Sequence, residues 1–160
     1  MTTSAYIGLG ANLNNPKQQI EVAFKALANL PNTQLLLRSS LYQSPPMGPR
    51  DQDDYINAVA KIETSLTPID LLDQLQSVEK TQGRVRKAER WGPRTLDLDL
   101  LLFGDQAIEC ERLTIPHYGL RQRAFVLLPL QEIAPELKLP DGTPINSIVE
   151  ELTEQGITKL

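Results

Sequence analysis

The sequence predicts an α+β domain whose core follows the order βαββαβ. In this ferredoxin-like arrangement an antiparallel sheet carries both helices packed on one face and leaves the other face available. Three observations predict it: four short apolar stretches suit strands, two longer segments have apolar residues at helical spacing, and they alternate in that order. The 160 residues suit a single domain, 1–160, with C-terminal additions to the core.

The first half of the chain contains a predicted strand, a helix and a second strand. Residues 6–10 are apolar and end at a turn, so they predict a buried strand. Asn15 can cap a helix that starts at Pro16, after which apolar residues recur at positions 20, 23, 24, 27 and 30. Residues 35–42 predict the second strand, which runs into the proline-rich segment 44–49.

The second half completes the core and adds to it. Residues 55–63 alternate between apolar and polar side chains and predict a strand with one buried face. A helix starts after Thr67 and ends near position 83, and residues 96–104 predict the fourth strand. Two further helices are expected, one over 121–130 with a distortion at Pro129 and a short one after position 144.

Composition excludes several classes of protein. The net charge of −4 has the wrong sign for a protein that coats nucleic acid, so an anion must bind at a local cationic patch. The single cysteine, Cys110, cannot form an internal disulfide, and no Cys and His cluster has metal-ligand spacing. No segment has the roughly 18 apolar residues of a membrane span, and the first residues do not resemble an export signal. We therefore expect a cytoplasmic protein that neither coats nucleic acid nor enters a membrane, and we separately expect a monomer.

Asp97 and Asp99 are the strongest candidates for chemistry. They lie two residues apart on the predicted fourth strand, so both side chains point to one side while the intervening leucines point to the other. Neighbouring carboxylates repel each other unless a cation lies between them, and hard oxygen ligands favour Mg²⁺. A solvated sheet edge is the alternative for this short pattern.

The segment 83–94 before that strand is rich in cations, namely Arg84, Arg86, Lys87, Arg90 and Arg94. Arginine forks bind phosphate oxygens at two points, and carboxylate-bound Mg²⁺ bridges others, so this segment beside the acid pair favours a polyphosphate. A solvated basic loop is the alternative. Trp91 lies in the same segment and either faces a ligand or covers an apolar surface patch.

Three other positions are ambiguous from the pattern alone. Tyr55 and Asn57 share a polar strand face, where they could hold a flat heterocycle or simply be exposed. His117, the only histidine, could donate to a phosphate or be structural. Cys110 lies between two glutamates that disfavour a thiolate, so it is not expected to be a nucleophile.

Common nucleotide motifs are missing, and two non-catalytic classes compete. Gly8-Leu9-Gly10 lacks the third glycine of the dinucleotide fingerprint, since position 13 is leucine, and no phosphate loop of the Gly-x-x-x-x-Gly-Lys type occurs. An RNA-binding module is the strongest rival. Such modules stack bases on aromatic residues of their central strands, whereas the fourth strand here presents two aspartates that would repel a phosphate chain. A protein-binding module is the other rival and predicts no magnesium-dependent nucleotide affinity.

Residues 90–101, with the sequence RWGPRTLDLDLL, resemble the signature of the 6-hydroxymethyl-7,8-dihydropterin pyrophosphokinase family of folate synthesis. Segments 10–13, 44–49, 55–58, 82–89 and 115–118 agree in order and spacing, as do Arg123 and Phe125. The resemblance extends over positions 6–140, and the residues after Asp141 show nothing specific. It implies that the pterin hydroxymethyl oxygen attacks the β-phosphorus of ATP and that AMP departs.

The resemblance also implies roles for individual residues. Two Mg²⁺ ions are expected at Asp97 and Asp99, with Arg84 and Arg94 as catalytic arginines. The implied ATP site comprises Gln76, Glu79, Arg84, Trp91, Arg94, Leu100, Arg112, Thr114, His117, Tyr118 and Arg123. The implied pterin site comprises Ser44, Pro45, Met47, Tyr55, Asn57, Trp91, Asp97 and Phe125, with the ring between Tyr55 and Phe125. Two loops, 45–54 and 84–92, would close over the substrates.

Overall fold

The first strand and helix form where the sequence predicts them in the computed structural model, which describes residues 2–12, 15–45, 54–82, 96–117, 120–152 and 156–160. Strand β1 is Thr3–Ala11, and every residue from position 5 to position 11 is buried, so the strand is covered on both faces. Helix α1 is Pro16–Ala28, with the predicted proline at its start. Asn15 precedes it with a left-handed backbone (φ 59°), but its side chain makes no capping hydrogen bond to the described residues of the helix.

The predicted second strand is divided into two. Strand β2 is Thr33–Arg38 and strand β3 is Tyr42–Ser44. Between them the Ser39 amide donates to the Val59 carbonyl at 2.9 Å, and the Val59 amide donates to the Ser39 hydroxyl at 2.9 Å. Because a side-chain oxygen replaces a backbone acceptor here, the ladder is interrupted and β3 starts again beyond it.

The remaining core elements are strand β4, Tyr55–Thr64, helix α2, Pro68–Thr81, and strand β5, Asp97–Phe103. Helix α2 begins as predicted, since the Thr67 hydroxyl accepts a hydrogen bond from the Asp70 amide at 3.1 Å. Smaller strands follow: β6, Ile108–Glu109, pairs with β7, Thr114–Ile115, and β8 is Thr158–Lys159.

The main sheet is antiparallel and has the order β5-β1-β4-β3-β8, with β2 also pairing with β4. Strands β2 and β3 therefore lie end to end along one side of β4, while β1 lies along the other. This order confirms the predicted α+β, ferredoxin-like core. Both α1 and α2 pack on one face, where their apolar residues join β1, β4 and β5 in a buried cluster that includes Ile7, Phe24, Leu27, Ile62, Leu71, Leu75 and Leu98.

The opposite face is partly covered, whereas the sequence suggested that it would be open. A 3-10 turn, Leu120–Gln122, leads into helix α3, Ala124–Ile133, which contains Pro129, and helix α4 follows at Ile145–Glu150. These elements form a second buried cluster with the sheet through Val59, Leu101, Leu120, Leu127, Leu130 and Ile145. No helix in the described part of the chain is long and apolar enough to cross a membrane.

Candidate active site

A cavity of about 430 Å³ opens at one end of the sheet. The strand registers explain its position, because Gly10 of β1 pairs with Asp97 of β5 on one side and with Asn57 of β4 on the other. Strand β3 extends this row, and the segment 110–117 and the start of α3 close the cavity from above. The acidic residues and the Tyr55–Asn57 region, distant in sequence, thus share one cavity.

The two aspartates lie on the same face of β5, as the sequence predicts. Asp97 and Asp99 line the cavity, while Leu96, Leu98 and Leu100 are buried at 0–4% exposure in the core cluster on the other face. Parts of Leu98 and Leu100 also reach the cavity lining. Burial, followed by the charge of Asp97, raises the pKa of Asp99 well above its usual value. Within the described part of the chain, no group of three or more His, Cys, Asp or Glu side chains is arranged to hold a metal ion.

His117 lies next to this pair. Its Nε2 is 3.8 Å from Oδ1 of Asp99, and its side chain is only 14% exposed. Burial and the neighbouring Arg123 charge lower the pKa of His117 to about 4, so the imidazole is neutral near pH 7. The His117 amide also donates to the Leu101 carbonyl at 3.1 Å, which ties this segment to β5.

The cavity wall also contains several residues of the implied nucleotide site, namely Gln76, Leu100, Arg112, Thr114, His117 and Arg123. Arg112 is already engaged: its Nη2 donates to Oδ1 of Asp73 at 2.6 Å and approaches Oε1 of Gln76 at 3.4 Å. Asp73 and Gln76 both lie on α2. Helix α2 therefore holds a guanidinium group at the edge of the cavity.

Glu79 is buried beside strand β5 and is not among the residues that line the cavity. It is 2% exposed, and its Oε2 accepts a hydrogen bond from the Leu98 amide at 2.7 Å. Strand β5 is the end strand of the sheet, so this carboxylate satisfies a backbone donor at a strand edge. The structure places Glu79 behind the two aspartates, in contact with the backbone between them.

The other side of the cavity is polar and aromatic. Nδ2 of Asn57 donates to the Ser44 hydroxyl at 2.7 Å, and both residues are at most 4% exposed. The sequence left open whether Asn57 holds a heterocycle or is simply exposed; the structure buries it in the wall of the cavity. Tyr55, Pro45 and Phe125 also line this side.

Sequence reasoning missed the floor of the cavity, which is formed by Gly8, Leu9 and Gly10 of β1. A methyl group at Gly10 would lie 3.3 Å from Oδ1 of Asn57, a tight contact that the Asn57 amide would have to relieve by a few tenths of an ångström. The signal was present as two glycines alternating with buried residues in one strand. Further lining residues that were not predicted are Leu72, Cys110, Glu111, Leu113 and Val126.

Five of the residues implied by the resemblance lie outside the described residues: Met47, Arg84, Trp91, Arg94 and Tyr118. Most of the two loops expected to close, 45–54 and 84–92, also lies outside them. Their roles stay predictions.

Comparison with known proteins agrees with the resemblance. Residues 6–135 match the model of the family described as 7,8-dihydro-6-hydroxymethylpterin-pyrophosphokinase. A Haemophilus influenzae protein named 2-amino-4-hydroxy-6-hydroxymethyldihydropteridine pyrophosphokinase is 54% identical over 157 residues, which covers 98% of each chain. A Pseudomonas aeruginosa protein of the same name is 49% identical over 160 residues, covering 100% of this chain and 98% of that one.

The fold also resembles a solved structure. The wild-type HPPK-DHPS of Plasmodium falciparum superposes with a TM-score of 0.73 at 14% identity, covering 94% of this chain and 45% of that longer one. At this identity the likeness concerns the fold alone. The family assignment depends instead on the match over 6–135 and on the bacterial relatives, and by these the chain belongs to the 7,8-dihydro-6-hydroxymethylpterin-pyrophosphokinase family.

Proposed function

We propose that this cavity transfers a pyrophosphoryl group from ATP to the hydroxymethyl group of 6-hydroxymethyl-7,8-dihydropterin, a step of folate biosynthesis. The hydroxymethyl oxygen forms a bond to the β-phosphorus while the bond from that phosphorus to the α,β-bridging oxygen breaks. AMP leaves, and the hydroxyl proton is released. The observation that carries the proposal is the row Asp97, Gly10 and Asn57 across three strands, which places a carboxylate pair and a polar slot on either side of a glycine.

The acid pair suits a divalent cation. Asp97 and Asp99 offer hard oxygen donors on one face, and burial, followed by the charge of Asp97, raises the pKa of Asp99. A divalent cation between the two carboxylates would offset both effects. When bound, magnesium would neutralise polyphosphate oxygens and orient them, and we propose two such ions here. A carboxylate pair leaves coordination positions for phosphate oxygens and water.

The nucleotide would lie along the wall formed by α2, β5 and the segment 110–117. Arg112 and Arg123 supply positive charge, and the neutral imidazole of His117 can donate one hydrogen bond to a phosphate oxygen. Gln76, Leu100 and Thr114 complete the described part of this wall. We further assign to the ATP site, by resemblance, Glu79, Trp91 and Tyr118 and the catalytic arginines Arg84 and Arg94.

The pterin would lie in the slot on the other side. Tyr55 and Phe125 provide aromatic faces for a flat ring, and the Asn57 amide can read its polar edge. Ser44 fixes that amide by its hydrogen bond, and Pro45 adds an apolar wall. By resemblance we also assign Met47 and Trp91, and we assign Asp97 at the reacting end.

Such a site needs little covalent chemistry. Holding the hydroxymethyl oxygen in line with the β-phosphorus and neutralising the oxygen charge account for most of the rate gain in phosphoryl-type transfer. We further propose that the protein acts as a monomer, as expected from the sequence.

The direct test is the identity of the nucleotide product. Incubation of the protein with ATP, Mg²⁺ and the reduced pterin alcohol should release AMP and pyrophosphorylated pterin in equal amounts. A chelator should stop the reaction, and added Mg²⁺ should restore it. Formation of ADP, or ATP consumption that does not depend on the pterin, would contradict the proposal.

A further inference from the structure

The two walls of the pterin slot belong to different elements. Phe125 lies in the first turn of α3, whereas Ser44 and Pro45 lie at the end of β3. Helix α3 packs against β3 and β4. The width of the slot therefore depends on how α3 is held against β3, a strand of only three residues.

One carboxylate joins these two elements. Glu132 lies on α3, seven residues after Phe125, which places both near one side of the helix two turns apart. Its Oε1 accepts a hydrogen bond from the Tyr42 hydroxyl at 2.7 Å. Its Oε2 accepts from the Ser40 hydroxyl and from the Ser40 amide, each at 3.0 Å. Tyr42 is the first residue of β3, so this cluster fixes the strand at its start.

A second strand supports β3 from its other edge. Tyr42 and Gln43 pair with Lys159 and Thr158 of β8, and the Leu160 amide donates to the Leu41 carbonyl at 2.9 Å. The Lys159 ammonium lies 3.9 Å from the Glu132 carboxylate, so β8 also contacts the cluster.

This support continues to the cavity wall itself. A methyl group built on Gly156 would lie 3.7 Å from the ring of Pro45, so the segment before β8 passes close behind this wall residue. The segment 156–160 thus lies along β3 from Leu41 to Pro45.

We propose that Glu132 is a positioning residue for the pterin. By holding Ser40 and Tyr42, it sets the distance between the Ser44–Pro45 wall and the Phe125 wall, although it does not itself line the cavity. The inference rests on the proposed function in one respect, since it takes this slot to be the pterin site. Most of the ATP wall is formed by α2, β5 and the segment 110–117, away from this cluster. Only Arg123 of that wall directly precedes α3, so the effect on ATP is expected to be much smaller than the effect on the pterin.

The test replaces Glu132 by glutamine, which keeps the size of the side chain but removes its charge. The Glu132→Gln variant should raise KM for the pterin by roughly three- to tenfold, the range set by weakened charged hydrogen bonds, with kcat and KM for ATP nearly unchanged. Tyr42→Phe removes one of these bonds and should act in the same direction with a smaller effect. Glu136→Gln, an equal charge change on an exposed residue just after α3, should leave all three constants unchanged.

A variant that is merely less stable should not reproduce the selective rise in KM for the pterin. Thr67→Ala removes the cap of α2 and destabilises the fold away from β3, and it should not change KM for the pterin selectively. If the wild type releases AMP but Glu132→Gln has the same KM for the pterin as the wild type, Glu132 is not a positioning residue, and the proposed reaction is unaffected. A wild type that releases no AMP would refute the reaction instead.

Hydrogen exchange provides a readout that does not require activity. The amides of Gln43 and Ser44 should exchange faster in Glu132→Gln than in the wild type, while those of β1 should keep their rates. Unchanged exchange in β3 would overturn the proposal whatever reaction the cavity performs.

Discussion

The acidic and pterin sides of the cavity are built by different means. On the acidic side, Asp97 and Asp99 follow from the alternation of a single strand whose leucines are buried at 0–4% exposure. On the other side, β3 is three residues long and is held by a carboxylate 90 positions away from Tyr42. The first arrangement is local and the second is long-range. The charged groups are therefore fixed by a strand with an apolar anchor, whereas the slot depends on polar contacts between distant segments.

Replacing Asp97 by alanine should have the largest effect, because it removes the local arrangement itself. We expect turnover to fall by roughly a thousandfold or more at saturating Mg²⁺, since the developing phosphate charge loses its main stabilisation. Steady-state kinetics should show this with the fold intact. Asp105→Asn, an exposed position in the turn after β5, is the matched control and should turn over normally. Near-normal turnover of Asp97→Ala would remove the acid pair from the mechanism.

The same difference explains what the sequence could predict. The face of Asp97 and Asp99 was predicted correctly because a period of two in an apolar strand fixes side-chain direction without any distant contact. The order of the core elements was predicted for a similar reason. The resemblance of 90–101 to a family signature then supplied the chemistry.

The features of the fold and the site that the sequence did not predict depend on contacts between distant residues, which no local pattern reveals. The pattern of β4 left open whether Asn57 faces a ligand or solvent, and only the contact with the Ser44 hydroxyl and the cavity wall shows that it is buried. The predicted second strand is divided because the Ser39 side chain bonds to Val59. Likewise, the cover of α3 and α4 on the second face and the bonds of Glu132 join residues far apart in sequence.

Asn57→Ala should break the pterin side selectively. It removes the amide proposed to read the ring and leaves the buried Ser44 hydroxyl without that donor, so KM for the pterin should rise by roughly tenfold or more. KM for ATP should stay within about twofold, because Asn57 lies across Gly10 from the acid pair. Asn146→Ala makes the same substitution at an exposed position, where Asn146 accepts a hydrogen bond from Gln131 at 2.7 Å, and serves as the control. Equal increases in KM for the pterin and KM for ATP would contradict the assignment of the two substrates to separate sides of the cavity.

Asp73→Asn tests the proposed nucleotide side of the cavity through its affinity for ATP. Asp73 pairs with Arg112, so it competes with phosphate for the same guanidinium group. Both side chains are about half exposed, at 45% and 52%, and such a pair is weak, so removing it should tighten ATP binding by only about two- to fivefold at low salt. The gain should disappear at high salt because screening weakens exposed pairs. Calorimetric titration measures both, and weaker ATP binding would mean that Asp73 orients Arg112 rather than competing for it.

The smallest effect concerns stability at alkaline pH and tests the long-range cluster alone. Burial, together with the hydrogen bond and charge of Glu132, raises the pKa of Tyr42 above its ordinary value of 10.0. In the unfolded chain this tyrosine ionises near pH 10, while in the folded protein it stays protonated. The unfolded state then binds fewer protons, so the free energy of unfolding falls as pH rises above about 10. The contribution of Tyr42 is complete below that pH.

Tyr42→Phe removes the titrating group and one hydrogen bond. The variant should be less stable than the wild type at neutral pH by about 1 kcal/mol, but its stability should fall less steeply above pH 10, with a difference in slope of at most about 1.4 kcal/mol per pH unit. Urea unfolding at several pH values measures both quantities. Tyr6→Phe is the comparison, since burial alone raises the pKa of Tyr6 and its removal should flatten the curve less. Parallel curves for the wild type and Tyr42→Phe would show that the bond to Glu132 does not hold the phenol in its neutral form, and β3 would then depend on β4 and β8 alone.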